Sequence, residues 1–146
     1  MRSGSASPNK KEDQRMSDHS ATTALAPRLV VSAGDAALDF YARAFDSEPA
    51  DRIYDGDRLV NGHILVGSTI VGVTEEDGLH NHSPSTIGGT PVVLSLTVPN
   101  ADEAAARFVE AGGEVVIPID DRPYGRRDGR FQDPFGHLWI LGHVLD

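Results

Sequence analysis

Leu29-Val-Val-Ser-Ala-Gly-Asp-Ala-Ala-Leu-Asp-Phe-Tyr-Ala-Arg-Ala44 returns later in the chain as Leu96-Thr-Val-Pro-Asn-Ala-Asp-Glu-Ala-Ala-Ala-Arg-Phe-Val-Glu-Ala111. Leu29, Val31, Asp35, Ala37 and Ala44 fall on Leu96, Val98, Asp102, Ala104 and Ala111 at one ungapped offset of 67 residues. Each copy begins as a β-rich run, Arg28 to Ser32 in the first and Pro91 to Val98 in the second. Each then turns to helical spacing. In the first copy Gly34-Asp35 opens a helix with Ala37, Phe40, Tyr41 and Ala44 on one face. In the second, Asn100 with Glu103 three residues on has the form of a capping box opening a helix from Ala101 to Ala111, and Gly112-Gly113 ends it. A period this long marks a duplicated module rather than a solenoid.

Three strands follow each helix. After the first come a short strand at Asp51 to Asp55 and a hairpin of Leu59 to Val66 with Ser68 to Thr74, turning at Gly67-Ser68. After the second come Glu114 to Ile117 and a hairpin of Arg130 to Gln132 with Leu138 to His143 around Asp133-Pro-Phe-Gly136. Glu75 to Pro91 carries Asp77-Gly78, Pro84 and Gly88-Gly89 and few apolar residues, so it is expected to be a linker or mobile loop. The expected architecture is α+β, two tandem βαβββ modules at residues 25–75 and 91–146 joined by a linker at 76–90. Residues 1–24 have no apolar periodicity before Leu25 and are expected to be a disordered tail, with Met16 an alternative start. One module is too small to bury an adequate core, so the two are expected to pair within the chain or across a dimer.

At 146 residues the chain is the size of one domain. Its net charge of -9 leaves no basic surface for nucleic acid or an anionic membrane. The absence of cysteine excludes disulfides, thiolate metal sites and a cysteine nucleophile. No run approaches the roughly 20 apolar residues of a membrane span, and the expected location is the cytoplasm.

Gly34-Asp-Ala-Ala-Leu-Asp-Phe-Tyr41, Ser85-Thr-Ile-Gly-Gly-Thr-Pro91, Tyr124-Gly-Arg126, Gly129-Arg130 and Asp133-Pro-Phe-Gly-His-Leu-Trp139 resemble the vicinal oxygen chelate superfamily, the glyoxalase and bleomycin-resistance fold, and within it the PhnB-like branch. The resemblance covers Leu25 to Val144. It implies βαβββ modules curving into a sheet cleft. It also implies, for the superfamily's enzymes, a divalent metal held by His, Glu or Gln on the first and fourth strands of each module. Those positions fall near Ala26 or Arg28, near Gly72, at Val93 to Ser95 and at Ile140. None offers a good donor, so no metal and no other cofactor is expected.

Strand alternation selects the cleft residues. In Leu59 to Val66 it places Val60, Ile64 and Val66 toward a helix and Asn61, His63 and Leu65 toward the cleft. In Leu138 to Gly142 it sends Leu138 and Ile140 to the cleft and Trp139 and Leu141 under the helices, where Phe40, Tyr41 and Phe108 also belong. Arg28, Val30, Ser95 and Thr97 are further strand candidates, with Tyr54, Tyr124, Arg130 and Gln132 at the rim. The expected ligand-binding set is Arg28, Asn61, His63, Ser95, Thr97, Tyr124, Arg130, Gln132, Leu138 and Ile140, with no catalytic residue assigned. His80 and His82 read as solvated loop residues, and His137 as part of the hairpin turn. No nucleophile elbow, phosphate loop or dinucleotide fingerprint occurs.

The function expected from an intact scaffold lacking metal donors is sequestration of an antibiotic-like small molecule. The alternative is an enzyme of the same fold, a lyase, isomerase or dioxygenase with unusual or absent metal ligands, or one using His63 as a base. A homodimer is expected, its clefts completed across the chains.

Overall fold

In the computed structural model, which describes residues 22–146, strand β1 (Arg28–Val31) lies at the edge of a four-stranded sheet ordered β1-β4-β3-β2. The others are β2 (Ala50–Asp55), β3 (Arg58–Val66) and β4 (Thr69–Glu75). Helix α1 (Gly34–Phe45) crosses from β1 to β2. The second module repeats this with β5 (Val93–Thr97), α3 (Ala101–Ala111), β6 (Glu114–Asp121), β7 (Arg126–Gln132) and β8 (Leu138–Val144), ordered β5-β8-β7-β6. The duplication is visible in the register. β1 runs parallel to β4 with Arg28 opposite Gly72, and β5 runs parallel to β8 with Ser95 opposite Ile140. The expected tail and the alternative start at Met16 fall almost wholly on residues 1–21, outside the described residues.

The helices form where the pattern placed them, but their ends are secured differently. Asn100 accepts the Glu103 amide at 3.1 Å, and His143 Nδ1 accepts the Ala101 amide at 2.9 Å. Ala33, before α1, has no side-chain acceptor to offer. The Gly34 amide donates instead to Glu75 Oε1 at 2.8 Å, from the far end of the module. Gly34 is required there because a Cβ would stand 2.5 Å from Leu59 Cβ.

Both helices bury one stripe, and the two stripes meet. Phe40 of α1 lies edge-on to Phe108 of α3 at 5.2 Å between centroids, and Phe45 is 4.9 Å from Trp139. Leu29, Val31, Leu59, Ile64, Val71 and Val73 of the first sheet join Phe131, Trp139 and Leu141 of the second in one cluster with both helices. The helix-covered faces of the two sheets therefore share a core, and the opposite faces turn away from it.

The junction is polar as well as aromatic. Asp133 is 2% exposed, and its carboxylate accepts from the Phe135 and His137 amides, from Trp139 Nε1 at 3.0 Å and from the Tyr41 hydroxyl of the first module. His137 adds a contact of 2.8 Å between Nε2 and the Val30 carbonyl of β1, so it bridges the modules rather than shaping its turn alone.

Three readings of local structure are corrected. Leu59, not Val60, is fully buried against α1. Between the pairs Ile53–Asn61 and Tyr54–Leu59, β3 advances two residues while β2 advances one, so a bulge at Val60 inverts the alternation, which simple period-2 reading cannot detect. β6 and β7 reach Asp121 and start at Arg126, longer than expected, because Asp121 and Arg127 pair across the hairpin end. The connection is not featureless. Ser83 caps a helical turn, α2 (Pro84–Ile87), and its amide bonds Glu76, which also accepts from Thr86.

Asp77 Oδ1 accepts the amides of Leu79, His80 and Asn81, and these backbone bonds, led by that from Asn81, hold its carboxyl down to about 2. Because the folded value is depressed, this loop's bonding is present above the unfolded carboxyl range near 3.9 and is lost as pH falls toward 2. A carboxyl NMR titration should give Asp77 a midpoint of about 2.

Candidate functional site

The expected cleft residues fall on the two outward faces. On the first sheet they form a chain of hydrogen bonds. Arg28 Nη1 donates to Asn61 Oδ1 at 3.1 Å, which turns the Asn61 amide nitrogen toward His63 Nε2 at 3.4 Å. An amide nitrogen only donates, so Nε2 accepts and the His63 proton sits on Nδ1, 3.2 Å from Asp51 Oδ2. The Arg28 side chain lies across Gly72, where a Cβ would be 3.5 Å from Nη1.

On the second sheet, Ser95, Ile140 and Arg130 occupy the row equivalent to Arg28, Gly72 and His63. Here the chemistry is different. Asp128, 7% exposed, takes Arg122 Nε at 3.2 Å, Arg126 Nε at 3.7 Å and the Tyr124 hydroxyl at 3.0 Å. Partial desolvation, and then the bond to Asp128, raise the Tyr124 hydroxyl above its ordinary value, so it remains a donor at neutral pH. Arg126 Nη1 reaches Thr97 Oγ1 at 3.4 Å, while its Nη2 is buried with no hydrogen-bond partner among the described residues. A cavity of about 240 Å³ opens here, lined by Ile117, Arg122, Tyr124, Asp128, Arg130 and Ile140.

Gln132 and Leu138 stand apart, lining a separate cavity of about 420 Å³ with Pro84, Ser85, Gly88 and Thr90 of the connection. Tyr54 donates to Asp35 in the first turn of α1, on the helix side of its sheet. One chain thus brings Arg28, Asn61 and His63 together on one face, and Ser95, Thr97, Tyr124, Arg130 and Ile140 on another. It does not join the two groups. Arg122, Arg126, Asp128 and Ile117 are site residues that strand reading missed. Alternation of Arg126, Asp128, Arg130 and Gln132 would have revealed two of them had the strand been started at Arg126.

Residues 18–141 match the model of the glyoxalase/bleomycin resistance protein/dioxygenase superfamily. The chain belongs to that superfamily. An uncharacterized protein of Mycobacterium bovis is 38% identical over 127 residues, covering 84% of each chain. TioX from Micromonospora sp. ML1 is 25% identical with a TM-score of 0.67 over 85% of this chain and all of the other. The genomically encoded fosfomycin resistance protein FosX of Listeria monocytogenes shares the fold at 19% identity and a TM-score of 0.63, over 84% of this chain and 93% of its own. At the positions where superfamily resemblance places metal ligands stand Arg28, Gly72, Ser95 and Ile140, a cation, a bare Cα, a hydroxyl and a hydrocarbon. Such a set does not fit a divalent metal. Among the described residues no group of three or more His, Cys, Asp or Glu comes together elsewhere. No described helix is long and apolar enough to cross a membrane.

Proposed function

We propose that this superfamily member, of the PhnB-like branch, binds and sequesters an antibiotic-like small molecule without a metal, using the outward face of the first sheet in one copy and that of the second sheet in another. The observation that carries the reading is the pair of faces themselves. Each presents oriented polar groups beside apolar surface, and neither offers donors at the metal positions. A resistance protein, FosX, uses the same fold.

The dimer is supported by what a single chain leaves uncovered. β1 and β5 are edge strands, and an apolar groove of about 420 Å³ runs past Pro27, Val66, Val71, Leu94, Leu96 and Trp139. Leu25 and Val92 at its mouth are 93% and 59% exposed. Light scattering at micromolar concentration should give twice the 15.6 kDa of one chain, and a monomer would count against the shared cleft.

His63→Ala and Arg28→Ala should weaken binding of the best hit from a thermal-shift screen of antibiotics and oxo-acid metabolites. Each should cost less than about 1 kcal/mol of fold stability, because both side chains bond at the surface. Unchanged affinity in both variants would remove the first sheet from the site.

The second reading is an enzyme in which His63 acts as a base. Asp51 on Nδ1 favours it, since it orients the ring as a catalytic histidine needs. Turnover of a screened compound that His63→Gln abolishes would decide for it.

A further inference from the structure

The face of the second sheet carries groups that the fold does not use, and they share one sign. Arg122 is engaged, donating to Asp128 and to the Pro118 carbonyl. Arg130 differs: it is half-buried, lines the cavity and has no hydrogen-bond or ion-pair partner among the described residues. Four residues along the same strand and on the same face, Arg126 buries an Nη2 that has no acceptor among the described residues, outside the lining of the cavity. An unpaired guanidinium nitrogen removed from water costs free energy until an acceptor arrives.

The charge of the patch stands against that of the chain. Arg122, Arg126 and Arg130 face Asp128 and its cross-strand neighbour Asp120, an excess of positive charge on a protein whose net charge is -9. Asp120 is exposed and accepts the amide of Asp121, which keeps it engaged at the strand edge. Asp128 is neutralised by Arg122 and Arg126. The free donor is Arg130, seated between the hydrocarbon of Ile117 and Ile140 with the Tyr124 ring at the rim. The equivalent row of the first sheet has Arg28 already tied to Asn61, so the asymmetry belongs to the second module.

We infer that the ligand of the proposed cleft is an anion with an apolar or aromatic body, its carboxylate or phosphate held by Arg130, its body lying over Ile117 and Ile140. Guanidinium suits this role because its planar fork pairs with two oxyanion oxygens at once. The inference rests on the binding reading above and narrows it to a class of ligand.

The test is an NMR titration of the full chain with benzoate, phenyl phosphate and the neutral analogue benzamide. Either anion should shift the amides around Arg130 and Ile140, with affinity at least tenfold above that of benzamide and falling with added salt. Benzoate and phenyl phosphate separate a carboxylate from a phosphate preference. Arg130→Gln should lose at least tenfold in anion affinity at an unchanged melting temperature, since Arg130 has no partner to lose, and Arg130→Lys should recover part of it. Benzamide binding this face as tightly as the anions, or affinity unchanged in Arg130→Gln, would overturn the inference and leave the binding reading standing. Failure of all three probes to bind would overturn the anion site, and only a blank screen of neutral compounds as well would remove the binding reading.

Discussion

Asp133→Ala is expected to destabilise the fold by about 3–5 kcal/mol, read as a fall in the urea midpoint at unchanged slope. The carboxylate is buried and accepts four donors from three different structural sources: its own turn, the following strand and the helix of the other module. Truncation leaves the Tyr41 hydroxyl, Trp139 Nε1 and two amides without an acceptor in a place water does not reach freely, and each costs about 1–3 kcal/mol before relaxation. Asp133→Asn, which keeps the shape and one carbonyl oxygen, should lose roughly half as much. The network also sets an alkaline limit. Burial, and then the charge and hydrogen bond of Asp133, raise the Tyr41 hydroxyl well above its ordinary value. The folded state keeps this proton after the unfolded state has begun to lose it, so the contribution is complete below about pH 10 and declines as pH rises further. Tyr41→Phe should flatten that decline while lowering stability at neutral pH. An Asp133→Ala protein melting within a degree of the parent would show that the junction is held by the aromatic cluster alone.

Trp139→Ala is expected to cost a similar 3–5 kcal/mol, for a different reason. Trp139 is 3% exposed and packs on Phe45, Tyr41 and Phe108, so its removal empties the point where both helices meet the second sheet. The loss is one of dispersion and apolar burial, and Trp139→Phe should restore most of it. One edge of the indole borders the apolar groove of Val66, Val71 and Leu94. The emission of Trp139 should therefore respond to dimerisation more than to a ligand on the outward face of its sheet. A direct ligand response, together with wild-type melting of Trp139→Ala, would place the site on the helix side instead.

The fates of Trp139 and Val60 show what was legible in the sequence. Parity placed Trp139 under the helices correctly because β7 and β8 pair without interruption from Arg126–Val144 to Gln132–Leu138. Val60 falls on the other face than its parity predicts because one inserted residue in β3 shifts every position before it, and a bulge has no hydrophobic signature. The duplicated module was readable since strand and helix periods both repeat at a fixed offset. The site was less so. Arg122 reaches Asp128 around a turn, and the bond between Asp133 and Tyr41 joins residues 92 apart. Contacts of that kind depend on the packing of modules, which local pattern does not encode. The Asp133-Pro-Phe-Gly-His-Leu-Trp139 run, which helped to carry the family resemblance, proves to be mainly structural.

That junction governs how two copies could come together. The 76–90 connection is long enough to let modules trade places between chains, at roughly 3.3 Å per extended residue. Yet Tyr41, Asp133, His137 and Val30 already unite the halves of a single chain. Trading them would require opening the common core, an event as rare as global unfolding. Copies that associate through the apolar groove at β1 and β5 keep that core shut. Differently labelled populations would then reshuffle on the timescale of dissociation, orders of magnitude faster than the chains unfold, and partnership in this protein would be set by dilution rather than by folding history.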